Sequence, residues 1–391
     1  MAILEERAGL YVHIPFCLKK CRYCDFYSVT DLSLEKPFVH ALKQEMRQKS
    51  RLGGSFDTLY LGGGTPSILQ DAHLASIMEE ALTCFDFEKN REVTIEVNPG
   101  TVTRSKLDFY LQTGIERLNI GIQSFTDSNL AFLGRSHTAL TALMAVNQAR
   151  EAGFANIGLD LIIGLPGQER TGLQADLECA LSFQPEHLSC YMLSYEPRTP
   201  LDQMRKRGRV TPLEEDRVGD LYEFLSGFLE EQGYEHYEIS NFARRDPGSS
   251  HPPHRSRHNQ KYWNHTPYIG VGPAAHSFIR PRRFWNGKNL RVYMDALTKG
   301  LSPMAEEEIL SPQQELMEAV ALGLRTQEGI GFDDFRKRFG VDLQQIVEKE
   351  ALPLKEAGRL SFDDEHLWLT RKGFLIADAV TLRLIDAMDV A

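Results

Sequence analysis

The chain of 391 residues carries 42% hydrophobic and 25% charged residues, a composition that indicates a globular protein and argues against disorder. Its net charge of −10 at pH 7 argues against general nucleic-acid binding. The sequence does not begin with a basic segment followed by an apolar run, and no stretch approaches about 18 uninterrupted apolar residues. We therefore expect neither a signal peptide nor a membrane span, and we predict a cytoplasmic protein.

The first distinctive stretch is residues 11–28 (YVHIPFCLKKCRYCDFYS), where Cys17, Cys21 and Cys24 follow an apolar run with C-x3-C-x2-C spacing. Three thiolates on one loop can hold three corners of an iron-sulfur cubane and leave one iron open, whereas an electron carrier supplies four cysteines. A structural zinc site would need a second cysteine or histidine pair, which is missing. Three unrelated thiols are the alternative. We expect His13 to support this loop by hydrogen bonding.

Short apolar, β-rich runs then alternate with amphipathic segments through residue 245. The runs cover residues 10–16, 58–61, 93–97, 117–122, 157–163, 187–193 and 236–239, and the helix candidates lie near 35–51, 67–84, 103–113, 138–152, 171–183 and 213–232. This alternation predicts βα units around a parallel sheet, with too few units for a closed eight-stranded barrel. We predict an α/β fold, a partial (βα)6 TIM-like barrel over residues 1–245, with ligands gathering at the carboxyl ends of the strands.

Polar residues interrupt or follow several of these runs. In residues 62–66 (GGGTP), three glycines let the backbone approach a ligand closely, although any βα turn can contain glycine. Glu96 stands in an apolar strand, where a buried acid is costly unless it is paired, although strand alternation would equally place it outward. Asp160 interrupts a run that a parallel strand covered on both faces would keep apolar. Gln123 and Arg135 lie at or after another strand end.

Between residues 246 and 305 the pattern dissolves into Pro, His, Arg and Gly with aromatic insertions, and we predict an irregular connecting region. Residues 244–291 hold ten Lys or Arg against one acidic residue, whereas the remainder carries 34 basic and 53 acidic residues. Such a basic segment attracts phosphate, carboxylate or a lipid headgroup. Its residues 257–264 (RHNQKYWN) include a histidine that can ligate iron, aromatic rings that can stack on a porphyrin and cations that can pair with propionates, as a haem site requires. A solvated loop could have the same composition.

The sequence becomes helical again after Pro312, and a short hairpin near residues 358–370 precedes a last helix. This order predicts a smaller, mainly helical, winged-helix-like C-terminal domain over residues 306–391. Winged helices can bind DNA, but residues 332–390 contain more acid than base. Packing and substrate cover are therefore the expected roles, and no nucleic acid is expected as a partner.

The cysteine loop, preceded by Y-x-H-I-P-F, resembles the signature of the radical S-adenosylmethionine (SAM) superfamily. The resemblance is to the branch of the oxygen-independent coproporphyrinogen III oxidases and their HemW-type relatives, and it covers nearly the whole chain. It implies a 4Fe-4S cluster on Cys17, Cys21 and Cys24, whose open iron SAM chelates. An electron from the cluster would cleave SAM to a 5'-deoxyadenosyl radical, which implies an electron donor if cleavage occurs. It assigns no catalytic residue here.

The same resemblance implies a set of SAM contacts. They are Tyr11, Tyr23, Gly63, Gly64, Thr65, Glu96, Gln123, Arg135 and Asp160. The glycine turn would meet the amino group of SAM, and the later polar residues its ribose and carboxylate. For the two tyrosines, which match aromatic contacts beside the cluster and adenosyl group, simple packing is the alternative.

The string H-N-x-x-Y-W is similar to the hallmark of the HemW-type haem chaperones and implies haem b as cargo. The residues implied at the haem are His258, Asn259, Tyr262 and Trp263, with His254, His251 and Cys190 as alternative ligands. One sequence does not say which of these side chains converge.

Phe26 stands two residues after Cys24, where the oxidases of the family carry a further cysteine. This departure favours a haem chaperone that delivers haem to acceptor haemoproteins, such as membrane-bound respiratory cytochromes. An oxygen-independent coproporphyrinogen III oxidase, which decarboxylates propionates to give protoporphyrinogen IX, is the second interpretation. A radical SAM enzyme acting on another substrate is the third. Contact of the basic segment with anionic lipid at the membrane periphery and a homodimer stay open.

Overall fold

The structure is a computed structural model that describes residues 6–246 and 254–389. His251, one of the alternative haem ligands, lies outside the described residues. Within those ranges, no helix combines the length and the apolar character that crossing a membrane requires.

The first part of the chain alternates strands and helices, as predicted. The elements are β1 (Ala8–Ile14), α1 (Glu35–Lys49), β2 (Ser55–Gly63), α2 (Asp71–Cys84), β3 (Asp86–Val97), α3 (Arg104–Gln112), β4 (Arg117–Gln123), α4 (Asp127–Leu133), α5 (Ala139–Ala152), β5 (Asn156–Ile163), α6 (Arg170–Leu181), β6 (His187–Met192), α7 (Pro200–Lys206) and α8 (Glu215–Glu231). Each of β1 to β6 pairs in parallel with the next. The predicted partial barrel of six βα units is thereby confirmed.

Local sequence explains where several helices begin and end. Thr103 and Thr138 accept hydrogen bonds from the third backbone N–H of α3 and α5, which satisfies donors that a helix start leaves open. Gly153 ends α5 with a φ of 104°, a left-handed conformation that costs glycine little. The apolar faces of these helices pack on the sheet in one continuous core.

The prediction of irregular structure between residues 246 and 305 is wrong for much of that segment. It contains α9 (Arg257–Trp263), β9 (Tyr268–Val271), β10 (His276–Ile279), β11 (Arg282–Asn286) and α10 (Leu290–Thr298). The strands β7 (Tyr234–Glu238) and β8 (Asn241–Arg244) precede it. Strands of four or five residues give only two alternations of side chains, which is too short a pattern to stand out among proline and glycine.

These elements extend the barrel sheet on both sides. In the part of the chain that the structure describes, the order is β12-β11-β10-β9-β1-β2-β3-β4-β5-β6-β8-β7, where β12 spans Met304–Ile309. β9 runs parallel to β1, whereas β10, β11 and β12 continue antiparallel. The first strand of the chain is therefore an interior strand, and β12 crosses the predicted boundary at residue 306.

The C-terminal part has the helix and strand order expected of a winged helix. It contains α11 (Pro312–Gly323), β13 (Ile330–Gly331), α12 (Phe332–Phe339), α13 (Leu343–Glu350), α14 (Leu352–Glu356), β14 (Leu360–Phe362), β15 (His366–Leu369), α15 (Arg371–Phe374) and α16 (Ala377–Asp389). Three of these strands form a small antiparallel sheet in the order β13-β15-β14. Ser311 begins α11 with a capping box, in which Gln314 completes the reciprocal hydrogen bond.

Candidate functional site

A cavity of about 580 Å³ extends along the inner face of the parallel strands. At the carboxyl ends of the strands it meets the cysteine loop, and at their start it reaches Arg117 of β4 and His187 of β6. The sequence-predicted residues that line it are Cys17, Cys21, Tyr23, Cys24, Gly63, Gly64, Thr65, Glu96, Gln123, Arg135 and Asp160. Of the predicted cluster and SAM residues, only Tyr11 does not line it. Strand ends that share one edge of a parallel sheet bring these distant positions together.

The three cysteines of the loop present free thiols to this cavity. The Sγ of Cys17 accepts a hydrogen bond from Thr65 Oγ1 at 3.4 Å, and the Sγ of Cys21 accepts one from Arg135 Nη1 at 3.6 Å. Burial raises the pKa of Cys24 to about 11, so metal binding here would release a proton. A cubane needs thiolates on separate irons with stabilising donors beside the sulfurs, and this donor set fits such a cluster.

No group of three or more His, Cys, Asp or Glu side chains within residues 6–246 and 254–389 converges on a point where a single metal ion would sit.

The strand histidine supports the loop, as predicted. His13 Nε2 lies 2.9 Å from the carbonyl oxygen of Tyr27, just beyond the last loop cysteine. Because a carbonyl only accepts, this nitrogen carries the proton, and Nδ1 is left to accept from the Tyr11 hydroxyl at 3.1 Å. Burial lowers the pKa of His13 to about 4, which keeps the ring neutral near pH 7. Tyr11 therefore acts behind the loop rather than at the cavity wall.

The glycine turn packs against the strand that carries the cysteine loop. Gly63 has a φ of 113°, and a Cβ there would lie 2.6 Å from His13 Nδ1. A Cβ on Gly64 would lie 2.6 Å from the carbonyl oxygen of Phe16. In this structure the glycines are thus required by the close approach of β1 and β2, and they also leave backbone groups at the cavity wall.

Two carboxyl groups face the cavity from β3 and β5, the strands on either side of β4. Glu96 accepts hydrogen bonds from the Tyr60 hydroxyl and from the backbone N–H of Gly63, both at 3.0 Å. Burial, reinforced by the charge of Asp160, raises the pKa of Glu96 to about 7. Asn119 Nδ2 donates to both oxygens of Asp160 at 2.9 Å, while burial raises the pKa of Asp160 to about 6. Such groups can accept from sugar hydroxyls or pair with an ammonium.

Sequence reasoning missed the inward residues at the start of the strands. In β4 (RLNIGIQ) the polar residues Arg117 and Asn119 alternate with apolar ones, and both line the cavity. In β6 His187 and Ser189 do the same. The period of two in these strands was the available signal. Arg117 Nε and His187 Nδ1 are buried, and neither has a hydrogen-bond partner among the described residues.

The structure buries the histidine of the HNQKYW motif. Its Nδ1 lies 2.8 Å from Thr58 Oγ1, its Nε2 lies 3.0 Å from the Tyr262 hydroxyl, and its ring stacks on Tyr60 at 5.1 Å. His258 is 1% exposed, and burial lowers its pKa to about 3. Both nitrogens are therefore engaged in this arrangement, and iron ligation by His258 would first require these bonds to break.

The other motif residues point in different directions. Asn259 lines the cavity described above, whereas Trp263 lies under the Arg325 guanidinium, 4.4 Å from its ring centre. Tyr262 borders a separate cavity near β9 and β10. Among the alternative ligands, His254 Nε2 lies 3.1 Å from Asp246 Oδ1, and Cys190 is buried within β6. The structure does not bring the predicted haem residues into one pocket.

The chain is similar to known families along most of its length. A family model described as the radical SAM superfamily matches residues 11–180, and one described as the HemN C-terminal domain matches residues 310–376. The heme chaperone HemW of Bacillus subtilis is 32% identical over 375 residues, which span 95% of this chain and 97% of that protein. The heme chaperone HemW of Synechocystis is 36% identical over 330 residues, 82% of this chain and 78% of that protein.

A mitochondrial radical S-adenosyl methionine domain-containing protein 1 from Bos taurus is 30% identical over 99% of this chain and 89% of its own length. Among solved structures, the coproporphyrinogen III oxidase HemN of Escherichia coli superimposes with a TM-score of 0.82. It covers 97% of this chain and 90% of its own at 23% identity, a likeness that shows a shared fold.

Proposed function

Because the chain belongs to the radical SAM superfamily, and within it to the family of the HemW haem chaperones, we propose that it binds haem and delivers it to acceptor haemoproteins. Respiratory cytochromes are the acceptors we favour. We further propose that the chain holds a 4Fe-4S cluster on Cys17, Cys21 and Cys24, with SAM on the fourth iron.

The observation that carries the cluster and SAM part is the composition of one cavity. Three free thiols from a single loop face it together with Thr65, Gln123, Arg135 and the two carboxyl groups. Two of the sulfurs accept hydrogen bonds from neighbouring donors, and Arg135 adds positive charge beside thiolates. When bound, such a cluster supplies one-electron chemistry to SAM.

Polar groups of this chain would orient SAM in that cavity. Glu96 and Asp160 offer acceptors for an ammonium group or for ribose hydroxyls. Arg135 donates to the carbonyl of Gly121 at 2.6 Å and to Cys21, which holds the guanidinium at the cavity wall for contact with a carboxylate. An electron donor would be needed only if SAM is cleaved.

Anaerobic reconstitution of the purified protein, followed by iron analysis, SAM equilibrium dialysis and haem titration, tests the proposal. We expect one cluster, SAM binding and one equivalent of haem. Cys21→Ser should lose bound iron and weaken SAM binding at least tenfold, because a thiolate ligand is removed. Cys179→Ser, which changes a cysteine outside the cavity, should keep both.

A parallel assay with coproporphyrinogen under reducing conditions tests the alternative that the protein is an oxidase. Formation of decarboxylated product without haem binding would identify a working oxidase and refute the chaperone proposal. Retention of the iron by Cys21→Ser would refute the ligand assignment instead.

A further inference from the structure

The carboxyl group of Glu96 is held at the cavity wall by Tyr60 of β2, which lines the same cavity. The Tyr60 hydroxyl donates to Glu96 Oε1 at 3.0 Å. The backbone N–H of Gly63 donates to the other oxygen, Oε2, at the same distance. Each carboxyl oxygen thus has its own donor, and the position of the Tyr60 ring decides where Oε1 lies.

The first glycine of the GGGTP turn leaves room for this pair of side chains. A Cβ on Gly62 would lie 2.9 Å from the ring carbon Cε1 of Tyr60 and 3.0 Å from Glu96 Oε1. These distances are shorter than van der Waals contact allows, so a larger residue would displace Tyr60 or Glu96. Whereas Gly63 and Gly64 are required by the approach of β1, Gly62 is required by the hydrogen-bonded pair.

The histidine of the HNQKYW motif supports the Tyr60 ring. The imidazole of His258 stacks on that ring with 5.1 Å between ring centres and an angle of 28°. Thr58, on the same face of β2 as Tyr60, fixes Nδ1 of His258 at 2.8 Å, and the Tyr262 hydroxyl fixes Nε2 at 3.0 Å. Because both nitrogens are held, the imidazole cannot turn away from Tyr60 without losing a buried hydrogen bond.

The charges around Glu96 make its protonation depend on the Tyr60 hydroxyl. Burial and the charge of Asp160 raise the pKa of Glu96, and the hydrogen bond from Tyr60 opposes them. The guanidinium groups of Arg117 and Arg135 act on Asp160 and offset part of its effect. Three further tyrosines lie near Glu96 and stay neutral near pH 7, because burial raises their pKa values. They are Tyr11 of β1, Tyr191 of β6 and Tyr262 of α9.

We infer that the HNQKYW motif positions a SAM acceptor of this chain: His258 holds Tyr60, and the Tyr60 hydroxyl holds the Glu96 carboxylate at the cavity wall. Both are positioning residues, since Glu96 is the group that would touch SAM. This inference rests on the proposed function, because it takes the cavity as a SAM site. It gives the buried histidine of the motif a role in which both of its nitrogens stay engaged.

Equilibrium dialysis of SAM across the pH range in which Glu96 titrates tests this inference with the reconstituted full-length protein. Tyr60→Phe keeps the ring and removes the hydroxyl, so we expect SAM binding near pH 7 to weaken about tenfold. The pH at which binding reaches half of its plateau should rise, because Glu96 keeps its proton to higher pH. His258→Ala should shift binding in the same direction. Each variant should retain the iron content of the unaltered protein.

Tyr110→Phe is the matched control. It removes the hydroxyl of a buried tyrosine in α3, and this hydroxyl has no hydrogen-bond partner in the part of the chain that the structure describes. We expect the affinity for SAM and its pH dependence to stay unchanged in this variant.

Unfolding of the protein without cluster or SAM gives a second measurement, which separates positioning from a general defect of folding. The unfolding free energy of Tyr60→Phe should go on falling to a higher pH than that of the unaltered protein, because the folded-state pKa of Glu96 is raised further. A general defect would lower the unfolding free energy by the same amount at every pH.

Unchanged SAM affinity and pH dependence in Tyr60→Phe and in a folded His258→Ala variant would overturn the inference, and the proposed function would stand if the unaltered protein binds SAM and haem. A shift in Tyr60→Phe alone would refute the role of His258. Absence of SAM binding by the unaltered protein at every pH would overturn the SAM part of the proposed function together with this inference.

Discussion

Glu96 combines a role in the cavity with a cost to folding. Its folded-state pKa of about 7 lies above the ordinary value of 4.5, so the folded chain holds a proton that the unfolded chain has already released between these pH values. Rising pH through this window therefore lowers stability. This loss of unfolding free energy is absent below pH 4.5 and complete above pH 7. We place it at about 2 kcal/mol, because the carboxylate borders an open cavity where solvent screens its charge.

A Glu96→Gln variant removes this titration. We expect the difference in unfolding free energy, variant minus unaltered protein, to grow by about 2 kcal/mol between pH 5 and pH 8 in denaturant titrations. SAM binding should weaken in the same variant, since an acceptor is lost. Glu215→Gln, at an exposed position of α8, serves as the control, and a pH-independent difference for Glu96→Gln would contradict the prediction.

The site residues that were easiest to predict from the sequence were those that interrupt a local pattern. Asp160 in an apolar strand and the cysteine spacing were visible because each departs from its surroundings. Arg117 and His187 were missed, because a polar residue at the first position of a strand resembles the end of a turn. The period of two indicated that each shares a face with Asn119 or Ser189, but the pairing of the strands was needed to show that both side chains point into the same cavity.

At the scale of elements, α9 is tied to the start of the barrel by charges. The carboxylate of Glu92 accepts the backbone N–H groups of Arg257 and His258, each at 3.1 Å, at the beginning of the helix. Lys261 pairs with Asp57 of β2 at 2.6 Å, with both side chains largely buried. The helix has only seven residues, so these contacts rather than its own hydrogen bonds hold it in place.

Asp57→Asn should loosen this helix. Removing one partner leaves the Lys261 ammonium without its buried counter-charge. We therefore expect the free energy of unfolding to fall by about 3 kcal/mol. Hydrogen exchange of the amides in residues 257–263 should speed up more than exchange in β4 or β5. Asp334→Asn, at an exposed ion pair of α12, is the matched control. Exchange in 257–263 that stays as slow as before would show that the other contacts of the helix hold it without this ion pair.

The elements were predictable in proportion to their length. The strands of the barrel and the helices between them repeat their hydrophobic period over many residues, whereas β9 to β11 have four or five residues each. Their stability comes from pairing with β1 and with one another, which is tertiary information. The same dependence explains why α9, which carries the HNQKYW motif, was not predicted as a helix.

Over the whole molecule, the C-terminal part is joined to the barrel sheet through a buried charge. Glu238 at the end of β7 is fully buried and accepts a hydrogen bond from Arg325 Nε at 2.9 Å. Backbone bonds from Ile239 to Arg325 and from Gln327 to Tyr237 lie beside this pair. Fold class and the winged-helix-like order were predictable, but this junction joins residues distant in sequence and carries no local pattern.

Arg325→Met should weaken that junction. The variant leaves a buried carboxyl without its cation, and we expect unfolding to cost about 3 kcal/mol less. Limited proteolysis should cut the variant sooner near residue 310, and Lys337→Met, at an exposed position, should leave the pattern unchanged. Equal proteolysis of Arg325→Met and the unaltered protein would mean that apolar packing alone holds the two parts together.

The position of β1 between β2 and β9 also bears on synthesis. The cysteine loop leaves the ribosome early, yet its strand acquires its second neighbour only after residue 271, and the Tyr27 hydroxyl meets the backbone N–H of Leu290. At about 5–20 residues per second, roughly 13–50 s pass between translation of the loop and of Leu290. Iron delivered during translation would meet the loop before β9 and Leu290 are available to pack beside it, so insertion of the proposed cluster would follow translation of residue 290.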